Sequence, residues 1–245
     1  MGAIAAVFGS LAGLGGGFLV VPVLRLFFSV EPAFAAADSL FFVFANTLAA
    51  SLMFMRRRAV DLPRGLTIAA AGIPGSILGA YVVRLLSGSS FDFIYGAFLI
   101  ATAIMIVMRR NKQPEPRNFT PHQKLAIEIC LGLLVGFASS LFGIGGGIVL
   151  VPAMLVMFRE DVHMTAATSA FVVMLTSPVG IIAHGLYGDL EASAIVPLVA
   201  GGLAGGAIGA HVARRMHASA LTTVMAGMLF VAALALAVKH MPGHA

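Results

Sequence analysis

Ser10-Leu11-Ala12-Gly13-Leu14-Gly15-Gly16-Gly17, with Val21-Pro22 after it, returns in the second half of the chain as Ser140-Leu141-Phe142-Gly143-Ile144-Gly145-Gly146-Gly147, with Val151-Pro152 after it. Eight of the fifteen positions 10–24 are identical to 140–154. The same register lays Gly72, Gly75, Gly79, Ala80, Val82 and Arg84 on Gly202, Gly205, Gly209, Ala210, Val212 and Arg214. One such match could be chance in a glycine-rich chain. Two in one register identify an internal duplication.

What surrounds the motif fixes its solvent. The chain has 245 residues, 60% hydrophobic and only 10% charged, with mean hydropathy +1.01. A soluble domain carries about 25% charged residues, so this composition reads as a polytopic membrane protein. Runs poor in charge cover residues 2–28, 34–55, 65–86, 91–108, 125–158, 164–188, 192–213 and 218–238. They lack period-two alternation, and open sheet edges are not tolerated in lipid, so the expected fold class is all-α. Prolines and charges mark a linker at 111–123, between a first membrane repeat at 1–110 and a second at 124–240. Net charge is +5, but the basic residues lie between apolar runs and report topology rather than a nucleic-acid partner. The first residues lack a basic region, so a cleaved signal peptide is not expected and the apolar start reads as the first membrane segment. The single cysteine, Cys130, excludes an internal disulfide.

Runs 2–28 and 125–158 are each broken by glycines. Each is either one kinked crossing or a hairpin that enters and returns on one side. Hairpins collect Lys and Arg more completely on one face, as the positive-inside rule prefers. The loops after the second helix of each repeat also differ in charge, Arg56-Arg57-Arg58 in one and Gly188-Asp189-Leu190-Glu191 in the other. Opposite faces explain that difference, so the expected architecture is an inverted repeat with a glycine-broken helical hairpin at the start of each half. The alternative is a parallel duplication with two kinked helices.

Glycines at membrane depth allow chain reversal, and a half-helix starting after each loop would aim free N–H groups and its positive dipole end at the centre. Two such ends make a site for a small anion, built from Gly13, Gly15, Gly16, Gly17, Gly143, Gly145, Gly146 and Gly147. The bland alternative is a packing kink. Nucleotide binding does not fit, because GxGxxG needs glycine where Phe18 and Ile148 stand and no Walker Lys follows. The glycines at 72, 75 and 79 and at 202, 205, 206 and 209 have the spacing of helix contacts.

Polar side chains fall at matched places: Asp38 and Ser39 against Thr168 and Ser169, Asn46 and Thr47 against Thr176 and Ser177. Hydroxyls and amides can donate to an oxyanion, or bond back to their own helix. Asp38 lies inside an apolar run; it is a proton-coupling candidate or, alternatively, the amino-terminal cap of the second helix. His184, near Asp189 and Glu191, is the other proton-coupling candidate. No histidine pair has a ligand spacing, so no metal is expected, nor any cofactor. HExxH and GxSxG are absent, and an enzyme is not expected.

The doubled glycine motif with Val21-Pro22 and Val151-Pro152, Ala167-Thr168-Ser169 and Gly188-Asp189 resembles the TauE/SafE sulfite exporter family, also called the toluene sulfonate uptake permease family. The resemblance implies a multi-pass permease of the cytoplasmic membrane that moves sulfite, sulfonates, sulfoacetate or related anions. In place of the family's small-Thr-Ser start to the second helix this chain has Asp38-Ser39, which suits proton coupling better than anion contact. The expected function is a secondary transporter working by alternating access. A passive anion channel with the same glycine loops is the competing class. Expected partners are a small anionic substrate and membrane lipid, with a homo-oligomer also allowed and no nucleic acid.

Overall fold

The computed structural model describes residues 15–109, 119–157, 162–190 and 192–213, with positions 223, 227 and 230–232. Among the described residues the regular structure is helical, without strands. The helices are α1 (Gly17–Phe27), α2 (Pro32–Arg56), α3 (Leu62–Val83), α4 (Gly88–Arg109), α5 (Pro121–Phe142), α6 (Gly147–Met157), α7 (Val162–Tyr187) and α8 (Ala192–Ala213). Among the described residues five helices are long and apolar enough to cross a membrane: α2, α3, α4, α5 and α7. Most of the linker, residues 110–118, and the start of the first repeat lie outside the described residues, as does Gly13.

Local chemistry sets the boundaries. Pro32 opens α2, where its missing N–H costs nothing, and Arg58 ends the following turn at φ 54. Asp61 caps α3 by accepting from Arg64 N at 3.2 Å. Thr120 and Gln123 form a capping box at the start of α5. Asp38 does not cap α2: the cap is Glu31, and Asp38 is buried inside the helix.

α1 and α6 each have 11 residues, which at about 1.5 Å per residue spans roughly half of a ~30 Å hydrocarbon core. They are half-helices. α5, by contrast, has 22 residues and ends at Gly143 in the left-handed conformation. Gly145 and Gly146 follow at φ 86 and 73, and Gly146 comes to rest against Val135 in the body of α5. Leu150 and Met154 of α6 share a core cluster with that same valine. α5 and α6 therefore pack on each other across the glycine turn.

α2 and α7 form the centre. Two-thirds of each span is buried, against one-third for α4. Their outer neighbours pack through glycine. Gly75 and Gly79 of α3 lie against the carbonyls of Leu133 and Phe137 on α5, and Gly136 of α5 lies against the Gly72 carbonyl. Gly202 and Gly206 of α8 meet the Phe42 and Asn46 carbonyls of α2. Lipid is as apolar as leucine, so close backbone contact rather than hydrophobic exclusion holds such helices together. Both glycine rows join one sequence repeat to the other. Large side chains such as Phe93, Leu134, Ile182 and Leu186 point outward, as a lipid-facing surface requires.

Candidate functional site

The two glycine turns meet. A Cβ on Gly17 would strike Gly143 O, and one on Gly15 would lie 3.4 Å from Ile144 O. The turns also have the same backbone: Gly15 and Gly16 at φ 80 and 79, Gly145 and Gly146 at φ 86 and 73. Val43 of α2 and Val173 of α7, matched residues of the two repeats, flank both Gly15 and Gly145. No side chain other than glycine's fits these positions without strain.

Side-chain donors serve the carbonyls of the turns. Ser39 Oγ donates to Gly143 O at 2.8 Å and lies 3.4 Å from Gly17 O, so one hydroxyl bridges both turns. Asn46 Nδ2 donates to Gly15 O at 2.9 Å, and its buried Oδ1 has no hydrogen-bond partner among the described residues. α1 starts at Gly17 without a side-chain cap, and α6 starts at Gly147 directly after the other turn. What remains at the junction is the positive end of two half-helices.

The other predicted residues divide. Thr47, Thr176 and Ser177 are buried and donate to Val43 O, Val172 O and Val173 O of their own helices at 2.7, 3.1 and 2.8 Å. Thr168 sits away from the turns, its Oγ1 accepting from Asp61 N at 3.0 Å, where it ties α7 to the start of α3. Ser169 and Asp38 are fully buried. His184 is buried at the far end of α7, its ring nitrogens facing Ser140 O and Asp189.

Among the described residues, two buried ion pairs are absent from the reading of the sequence, and a third cluster adds Arg84 to the His184–Asp189 neighbourhood noted there. Arg25, in the last turn of α1, makes a two-point pair with Asp92 of α4 at 2.8 and 2.9 Å, and donates to Val30 O and Gly88 O. Arg64 of α3 pairs with Glu128 of α5 at 3.1 Å and stands 3.4 Å from Asp61. Asp189 lies between His184 and Arg84. In sequence these charges sit at the edges of apolar runs, where they look interfacial; Glu128 is in fact covered by protein. Only the complementary signs hinted at pairing.

Glycine-joined spans, paired half-helices and buried ion pairs define a multi-pass helical membrane protein with an internal junction of two glycine turns. The chain belongs to the sulfite exporter TauE/SafE family, whose model matches residues 1–236. It is 32% identical to the probable membrane transporter protein YunE of Bacillus subtilis over 92% of this chain and 90% of that one. It is 33% identical to a probable membrane transporter protein of Methanocaldococcus jannaschii over 75% and 70% of the two chains. A third relative, from Xylella fastidiosa, is 26% identical over 85% and 81%.

Proposed function

We propose that this protein is a secondary transporter for small sulfur-containing anions of the sulfite and sulfonate class, working by alternating access in the cytoplasmic membrane. The observation that carries this reading is the contact of the two glycine turns, each leading into a half-helix. Ser39 and Asn46 occupy the turn carbonyls, which leaves backbone N–H groups and positive dipole ends to receive an oxyanion. The name of the family supplies the substrate class. Asp38 and His184 are the candidates for moving a proton with the anion.

An inverted repeat fits this scheme. Along α2 and α7 the contacts run in opposite directions, from Val43 with Val173 to Leu40 with Gly180. α3 follows α7 instead, Gly65 meeting Thr168 and Gly72 meeting Thr176. Matched helices that cross antiparallel at matched valines are what a two-fold axis in the membrane plane would generate. Direct packing of the turns beneath Val43 and Val173 favours a gate over a standing pore.

Purified protein in liposomes should exchange external radiolabelled sulfite for internal sulfite, with saturation. Flux that never saturates and follows voltage alone would instead make the protein a channel. A carboxyl-terminal tag should be reachable only from outside the cell; labelling from the cytoplasm would reject the inverted arrangement.

A further inference from the structure

The end of α7 holds a histidine between two oxygen acceptors. Gly188, at φ 82, closes the helix by the turn in which Gly188 N bonds Gly185 O and Asp189 N bonds His184 O, both at 3.1 Å. That turn folds Asp189 back over the ring. His184 is fully buried, with Nε2 3.0 Å from Ser140 O of α5 and Nδ1 3.3 Å from Asp189 Oδ2.

A carbonyl oxygen can only accept, so Nε2 carries a hydrogen. The Nδ1 contact then needs a second hydrogen, because an imidazole lone pair facing an ionised carboxylate repels it. That hydrogen belongs either to an imidazolium or to a carboxylic acid. In both cases the arranged pair holds one proton more than a neutral imidazole beside a carboxylate.

From this geometry we propose that His184 and Asp189 form a proton-binding site, and that the proton taken up there is the one coupled to anion movement. The second half of the statement rests on the transporter reading above; the first does not. Asp189 Oδ1 lies 3.6 Å from Arg84 Nε at the end of α3, and the Arg84 side chain is 44% exposed, which gives the site a route to water. Arg84 also lies over the Tyr187 ring, beside Tyr81. α5 presents Ser140, and α2, which packs on α7 as well, carries the buried Asp38.

Loss of the proton leaves the imidazole one hydrogen for two acceptors, so it releases either Ser140 or Asp189. Ser140 is in the last turn of α5, which ends at Gly143 of the second glycine turn. Releasing it frees the helix end that holds that turn. Releasing Asp189 frees the loop into α8. Either way protonation is transmitted to elements that contact the junction or the α2 wall beside it.

The test has two arms on full-length protein. In detergent, with ring-labelled histidine, nitrogen NMR assigns His184 among the 7 histidines as the signal lost in His184→Gln. The expected result, in spectra taken over a window of about pH 5 to 8, is a change in the protonation of His184 that Asp189→Asn alters. A His184 signal that stays neutral throughout that window and ignores Asp189→Asn would overturn the proton site even if transport is normal. In liposomes, sulfite flux should vary several-fold across the same window in wild type and lose that dependence in His184→Gln and Asp189→Asn. A profile flattened by Asp38→Asn and unaltered by the other two would move the coupling role to Asp38. Absence of sulfite flux in wild type would strike the transporter reading while leaving the nitrogen titration to decide the proton site.

Discussion

The two glycine turns share a backbone and differ in how they are held. The first is tied twice by α2: Asn46 bonds Gly15 O, and Ser39 lies near Gly17 O. Its half-helix is anchored at the other end by the Arg25–Asp92 pair. The second turn shares Ser39, which reaches across from the first repeat to Gly143 O. The residue matched to Asn46 is Thr176, which bonds its own helix, and the residue matched to Arg25 is Leu155, packed among apolar neighbours. The turn geometry is therefore common to the two repeats, while the polar contacts at these two matched positions are not. Asn46 and Arg25 thus give the first turn and its half-helix polar ties that Thr176 and Leu155 do not give the second, so the first is the more firmly fixed at these two positions.

The strongest challenge to that contrast is to spoil one turn at a time. A side chain at Gly17 meets the Gly143 backbone, and one at Gly146 meets Val135 backbone at φ 73. Gly17→Leu and Gly146→Leu should each reduce sulfite flux in liposomes to background while the protein still inserts and purifies. Overpacking a core typically costs about 1–3 kcal/mol and here meets backbone, so each turn must be displaced. Normal flux in either variant would remove that turn from the site.

The clasp comes next. Arg25→Ala leaves Asp92 buried without its partner, and breaking such a pair costs about 3–5 kcal/mol. A lower thermal midpoint in detergent should follow, largely restored when Asp92→Leu accompanies Arg25→Met, because an apolar pair of similar volume stabilises as well. An unaffected midpoint in Arg25→Ala would show that the anchor contributes nothing and that the first half-helix is no more fixed than the second.

Much of this architecture was legible in the residues. The repeated Gly-Gly-Gly run allowed either a kink or a chain reversal, and in the second repeat α5 and α6 pack on each other across Gly143–Gly146. The small-residue spacing at Gly72, Gly75 and Gly79 announced close helix contact, although not that its partner would be α5 of the other repeat. The hydroxyls were harder to place. Thr47 and Ser177 can satisfy themselves within one helical turn, and only tertiary distance tells that state from donation to a ligand. For Ser39 the sequence offers the anion or its own helix as acceptor, and in the structure its hydroxyl donates to Gly143 O; which acceptor faces a hydroxyl is decided by how two distant loops pack. The ion pairs stayed hidden for the same reason, since Arg25 and Asp92 are joined only once α1 lies against the start of α4.

The smallest expected effect probes the anchors most directly. Asn46→Ala removes the donor to Gly15 O and leaves a buried carbonyl unsatisfied, at a cost of about 1–3 kcal/mol. Thr176→Ala removes a hydroxyl that bonds only its own helix, for which surveys of single changes lead one to expect about 1 kcal/mol or less. The asymmetry should also appear in transport. Loosening the fixed turn lets both sides of the junction move, so Asn46→Ala should weaken half-saturation by sulfite more than Thr176→Ala does. Equal losses of stability and of half-saturation in the two variants would mean that the matched positions do the same work. The two turns would then be mechanically equivalent despite their different bonds, and the pivot would have to be sought in the glycine rows that join α3 to α5 and α8 to α2.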